Sequence, residues 1–266
     1  MDQTNRPWHQ HCSSGGIRRR RGAATAVHQR AHWRPERRVL PHGRGPVPDL
    51  LQGHNLLQAG RGELALTLAD SLSDAWNGNA EAGFNQKLDK LRGLSATYNN
   101  YIQIVASEDS GIKTLADLKG KRLSVGAARS GTELNARAVL KAAGLAYSDL
   151  AKVEYLPFGE SVELMKNRQL DATLQSAGLG VDLSTAVKIV VVPVPADVVA
   201  KIGDAAYQPA VIPANTYGGQ TADVATVAIP NFLVTHSGVS DDVAYRMAKA
   251  MYDNIDTLYA AHNAAK

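Results

Sequence analysis

A single cysteine, Cys12, in 266 residues leaves no intramolecular disulfide possible, which excludes a disulfide scaffold. Long apolar runs are missing too. The longest, residues 187–199, is interrupted by Lys188, Pro193, Pro195 and Asp197 and does not span a bilayer. A secretory signal needs a basic start and then about 7–15 continuous apolar residues. Residues 1–22 have no such run, so no export signal is expected in the chain as written. Lysine is wholly absent from residues 1–61, which hold eleven arginines against three acids, for a net +8, with six of the eight histidines. Residues 62–266 hold 18 basic and 22 acidic residues, for a net −4. The overall +4 and the pI near 9.1 therefore describe the first segment only. The remainder is mildly acidic and offers no basic face for nucleic acid.

The groups that catalysis needs are scarce as well. A serine hydrolase places its nucleophile in a turn of the Gly-x-Ser-x-Gly kind, and Ala128-Arg129-Ser130-Gly131-Thr132 does not match it. From residue 62 onward the only histidines are His236 and His262. No phosphate-cradling Walker loop and no Gly-x-Gly-x-x-Gly after a strand occurs. Asp241-Asp242 stands at a helix start, where the helix dipole explains it. His9-Gln10-His11-Cys12 lacks a second ligand pair at the defined distance that a structural zinc site requires. The chain reads as no enzyme, with no metal and no cofactor.

Residues 1–55 contain Arg18-Arg19-Arg20-Arg21, scattered Pro, Gly and His, and no apolar period of 2 or 3.6. Three readings compete: a nucleic-acid-binding arm, a tail without fixed structure, or a GC-rich gene read out of frame. From Gly62 the character changes. Residues 62–69 read as a strand, with Asp70-Ser71 at its end, and Leu88, Leu91 and Leu94 as a helical stripe. Strands are expected at 101–105, 123–126, 152–156, 171–175, 188–194 and 225–235. Helices are expected at 115–118, 133–143, 159–167, 196–202 and 241–261. Thr114 should cap the first of these helices, and Ser130 with Glu133 has capping-box spacing for the second. Strands alternating with helices imply an α/β fold with a largely parallel sheet, whose ligands bind at the carboxyl ends of strands. The loop at Ser130 brings a helix N-terminus to such an end. Its free N–H groups, the hydroxyls of Ser130 and Thr132, and Arg129 would suit a carboxylate. The plainer alternative is that Ser130 caps its own helix.

The string Gly111-Ile112-Lys113-Thr114-Leu115-Ala116-Asp117-Leu118-Lys119-Gly120-Lys121-Arg122-Leu123-Ser124-Val125-Gly126, followed by Ser130-Gly131-Thr132-Glu133, resembles the TAXI group of solute-binding proteins. These are extracytoplasmic receptors of TRAP transporters. Asp74-Ala75-Trp76-Asn77-Gly78, Tyr98, Val211-Ile212-Pro213-Ala214-Asn215-Thr216-Tyr217 and Gly219-Gln220-Thr221-Ala222-Asp223-Val224 share the resemblance, which covers about residues 62–266. It implies a periplasmic, two-lobed, type II-like clamshell that closes on a small carboxylate or acidic amino acid and then docks on a TRAP permease. Lobe one would comprise 56–98 and 227–266, and lobe two 99–226. Ligand contacts carried over by the resemblance fall at Asp70, Ser71, Tyr98, Ser130, Gly131, Thr132, Gln175 and Ser176, with Arg129 as charged partner. A transcriptional regulator with the same effector fold is the rival reading, but 1–55 show no helix-turn-helix pattern.

Relatives of this type open with a signal peptide and a strand leading to a Gly-Thr-Gly-Gly loop, which the arginine-rich segment replaces here. The chain is also a few residues shorter between Val181 and Asp182, and it ends before a His-Pro-Gly-Ala stretch. The out-of-frame reading makes a direct prediction. Of the other two frames upstream of codon 62, one should encode a signal peptide and a Gly-Thr-Gly-Gly-like loop. Sequencing that region and finding neither feature in either frame would refute it.

Overall fold

A computed structural model describes residues 50–179 and 188–261. The arginine-rich run, the His9–Cys12 cluster and the shortening at Val181–Asp182 lie outside the described residues. The first described element is α1 (Leu50–Gln58), which starts twelve residues before the composition change at Gly62. Leu57 is buried, and His54 bonds Thr67 at 3.0 Å with its ring edge-on to Phe84. A helix this short, carrying Gly53 and a buried histidine, gives little apolar period to read.

After α1 come β1 (Ala65–Leu68) and α2 (Ala69–Asn77). A single strand of 17 residues follows, β2 (Leu91–Ser107). The leucines at 88, 91 and 94 do not form a helical stripe, because Leu91 opens β2 and Leu88 is buried just before it. Spacing of three over so few residues fits either element, and pairing with β8 decides the matter here. Next are β3 (Arg122–Ser124), α3 (Gly131–Ala142), β4 (Lys152–Glu154), α4 (Phe158–Lys166) and β5 (Ala172–Ala177). β6 (Ile189–Val192), α5 (Ala196–Ile202), β7 (Gln208–Ile212) and β8 (Val224–His236) complete the sheet. The last expected helix is two, α6 (Asp241–Asp253) and α7 (Ile255–Ala261), parted at Asn254. Between β2 and β3, Thr114 caps the expected turn Leu115–Leu118, and Asp117 Oδ2 accepts from the Thr114 backbone N–H at 2.9 Å.

The α/β class is as expected. The strand order is β1-β8-β2-β5-β3-β4, with β6 also pairing β2 and β7 pairing β8. Parallel pairing joins β3 to β4 and β5, where helices link successive strands. The other pairings are antiparallel, which limits the expected parallel character to that section. The cause is that β2 and β8 are long strands running side by side in opposite directions, from Leu91↔His236 to Tyr101↔Ala228.

These two strands pass through two cores. Leu91 and Val234 pack with Leu57, Ala75, Phe84 and Leu88. Ile102, Ile104, Val227 and Ile229 pack in a larger cluster with Leu123, Leu140 and Leu174. α3 contributes Ala136, Val139 and Leu140 from one face, the i, i+3, i+4 spacing of a helix laid on a sheet. By contrast, α6 has no buried residue, and Tyr245 and Tyr252 are 65% and 59% exposed. Amide hydrogen exchange should therefore be slowest in β2, β3 and β5 and fastest in α6 and α7. Protection of α6 equal to that of β5 would contradict this. Leu174→Ala, emptying a fully buried site in the larger core, should cost about 2–5 kcal/mol in urea melts.

Candidate functional site

The turn after β3 is built around Gly126. Its φ of +89° lies in the left-handed region that favours glycine, and a Cβ there would come within 2.6 Å of Thr132 Cγ2 and 3.3 Å of Ser130 Oγ. Only a glycine lets the strand end approach this loop. Ser130 is the N-cap of α3, and its Oγ accepts from Glu133 N at 3.2 Å. The glutamate does not complete a capping box. Its buried carboxylate is taken by Arg137 at 2.7 and 3.0 Å and by the Tyr147 hydroxyl at 3.0 Å. Arg129 is exposed, sits at φ +59° and lines a small recess of about 170 Å³ with Glu81, Glu133 and Arg137.

Asp70, at the start of α2, is 3% exposed. Its Oδ2 accepts from Asn135 Nδ2 at 2.6 Å and from the Tyr207 hydroxyl at 2.7 Å, and Asn135 Nδ2 also reaches the Tyr207 oxygen at 2.9 Å. Burial pushes the Asp70 carboxyl up to about 6, opposed by the Tyr207 and Ser71 hydrogen bonds and reinforced by the nearby charges of Asp74 and Asp204. Burial likewise raises the Tyr207 hydroxyl, with the Asp70 charge second. Four buried side-chain atoms have no hydrogen-bond partner among the described residues: Asp70 Oδ1, Ser71 Oγ, Asn135 Oδ1 and Ser176 Oγ. Buried polar groups are almost always paired, so each such atom marks a place where something is accommodated at a cost.

Of the residues expected at the site, Asp70 meets Asn135 and Tyr207 in this cluster, and Ser71 is buried next to it on α2. Gln175 is buried on β5 and donates to Thr173 Oγ1 at 2.7 Å. Ser176, next to it, accepts at its carbonyl from Asn100 Nδ2 at 3.2 Å. Tyr98 is half-buried on β2, and its carbonyl accepts from Asn231 Nδ2 at 3.0 Å. A cleft of about 550 Å³ lies against α2, α3 and α5 and takes in Asp70 and Tyr207. Tyr98, Ser130, Gly131, Thr132, Gln175 and Ser176 line neither this cleft nor the recess beside Arg129. Asn135 and Tyr207 were missed by the sequence reading. Asn135 could have been found, since it interrupts the buried face of α3 one turn before Val139. Tyr207, in the loop before β7, carries no such signal. No group of three His, Cys, Asp or Glu that could hold a metal occurs among the described residues, and no helix there is long and apolar enough to cross a membrane.

The raised Asp70 carboxyl fixes a sign for pH dependence. The folded chain holds this proton up to about pH 6, whereas an ordinary aspartate loses it near 3.8, so the folded state binds more protons between those values. The stabilisation is complete below 3.8 and is lost as pH rises through 6. Asp70→Asn should remove that dependence and raise stability at pH 7.5 by up to about 3 kcal/mol. Urea melts at pH 5 and 7.5 test it, and a variant less stable than the parent at pH 7.5 would contradict it.

The chain is similar to several solved structures. The periplasmic aliphatic sulphonate binding protein SsuA from Escherichia coli matches with 22% identity over 49% of this chain and a TM-score of 0.36. This chain covers 42% of that protein's length. A putative L-cystine ABC transporter from Listeria monocytogenes matches with 17% identity over 76% of this chain and 68% of its own, at a TM-score of 0.43. XAC2383 from Xanthomonas citri, bound to ATP, matches with 15% identity over 79% of this chain and 70% of its own, at a TM-score of 0.49. The NMT1-like family model matches residues 51–266, from the first turn of α1 to the last residue, and the chain therefore belongs to the NMT1-like family.

Proposed function

We propose that this chain is a periplasmic solute-binding receptor of the TAXI type, which captures a small organic carboxylate or amino acid and hands it to a TRAP permease. It binds and releases a ligand and performs no reaction. Its two lobes, 56–98 with 227–266 and 99–226, are joined by β2 and β8 and close on the ligand. The observation that carries this reading is the coincidence of two independent sets. Asp70, Ser71 and Ser176, picked from the motif resemblance, supply three of the four buried polar atoms that lack a partner. A chain whose only task was to fold would have little reason to leave such atoms at those positions, because each costs about 1–3 kcal/mol. Membership of the NMT1-like family over 51–266 and the TAXI-like motifs support the same reading.

The carboxylate is assigned to the loop of Ser130, Gly131 and Thr132, with Arg129 beside it. α3 has 12 residues, so its N-terminus presents aligned N–H groups and a partial positive charge, and hydrogen bonds to a charged acceptor are worth about 1.5–3 kcal/mol each. Replacing the loop with the bulkier apolar pair Gly131→Leu and Thr132→Val should weaken succinate or L-glutamate binding at least tenfold in calorimetry. Affinity unchanged by that replacement would remove the loop from the site.

A further inference from the structure

The cleft of about 550 Å³ is lined by four carboxylates, Asp70, Asp74, Glu81 and Asp204, and by three bases, Arg137, Lys141 and Lys201. Two of the bases are neutralised by acids that do not line it. Arg137 pairs with Glu133 at 2.7 Å, and Lys201 with Asp197 at 3.1 Å. What remains is a surplus of negative charge, and it is felt by the groups themselves. Asp204 raises both Asp74 and Asp70 after burial has done so. Asp70 lines this cleft with Oδ1 unpartnered, and Asn135, which bonds Asp70 from behind without lining the cleft, has its own Oδ1 unpartnered as well. Both atoms are acceptors, and neither Tyr207 nor Asn135 has a donor left for them, since the hydroxyl serves Asp70 Oδ2 and the two amide hydrogens go to Oδ2 and to the Tyr207 oxygen.

A group that brings positive charge and several N–H donors satisfies all of this at once. A metal ion does not, because no set of three carboxylate or imidazole ligands converges among the described residues. We propose that this cleft is the subsite for a protonated primary amine of the captured solute, received by Asp70, which Asn135 holds in place, in the field of Asp74 and Asp204. This rests on the solute-binding reading above and deepens it. Asn135 lies five residues along α3 from Ser130, about 7.5 Å at 1.5 Å per residue. A solute that placed its carboxylate at the Ser130 loop and its amine in this cleft would carry the two groups several bonds apart, as an ω-amino carboxylate does.

The matched probes are 5-aminovalerate and valerate, which share the carboxylate and chain and differ in the terminal amine. Calorimetry at pH 7.5 on the full chain should show 5-aminovalerate binding at least tenfold more tightly than valerate. Asp204→Asn, a change at a half-buried cleft residue, should weaken 5-aminovalerate about fivefold and leave valerate unchanged. Asp70→Asn, which preserves shape, should weaken 5-aminovalerate more than tenfold while its melting temperature is no lower than the parent's. Equal affinity for the two probes, lost on replacing the Ser130 loop, would overturn the amine subsite and leave the receptor reading standing. Binding of neither probe, or 5-aminovalerate binding indifferent to both aspartate changes, would also overturn it.

Discussion

The antiparallel pairing of β2 with β8 is the constraint on which the rest depends. Both strands run from the smaller core, at Leu91 and Val234, into the larger one, at Ile102 and Val227. Midway the apolar pattern gives way to asparagines. Asn231 Nδ2 donates to the Tyr98 carbonyl and to Asn100 Oδ1, both at 3.0 Å, and Asn100 donates onward to Ser176 O on β5. The register shifts between Gly93 and Ser95 and again between Ala96 and Asn99. Irregularities of this kind bend and twist a ribbon, and here they fall where it leaves one core for the other.

What the ribbon positions is the polar cluster. β1 pairs with β8 up to Leu68↔Asn231, and α2 starts on the next residue, so the end of that pairing sets where Asp70 stands. β5 pairs with β2 on the other side, which places Gln175 and Ser176 opposite Gln103 and Ile102. Gln103 accepts from the Tyr217 hydroxyl and donates to the carbonyls of Ala177 and Gly178. Asp70, Tyr98, Gln175 and Ser176 are thus hung from one pair of strands, though 70 and 176 are over a hundred positions apart in sequence.

Much of the larger core was legible because its signals are local. Thr114 with Asp117, Ser130 ahead of α3, and Pro195 before α5 are punctuation that neighbouring residues interpret, and the elements beside them fell within a few residues of expectation. β2 was half read. Its stretch 101–105 alternates openly, but the portion from Leu91 carries exposed Arg92, Ala96 and Thr97, and only the partner strand makes it β. The direction of pairing was not legible, since alternation of strands and helices says nothing of two strands that cross between cores. At the site, Asp70 and Ser71 came from a motif, whereas Tyr207 is brought in by a fold-level contact 137 residues away in sequence.

The cluster also weighs on the stability of this chain. Net stability of a domain is about 5–15 kcal/mol, so four unsatisfied buried atoms at about 1–3 kcal/mol each are a large share of it. Arg122 and Asp171 show the opposite arrangement in the same sheet. There the carboxylate accepts from the guanidinium at 3.0 and 2.6 Å and from the Arg122 backbone N–H at 2.8 Å, and these bonds hold it below its ordinary range. The fold can therefore satisfy a carboxylate fully where strand ends meet. At Asp70 it supplies donors to one oxygen and leaves the other without any, and the same is true of the amide oxygen of Asn135. The contrast lies in donor supply: the Asp171 carboxylate is met by a guanidinium and a backbone N–H, whereas the donors around Asp70 converge on Oδ2 alone.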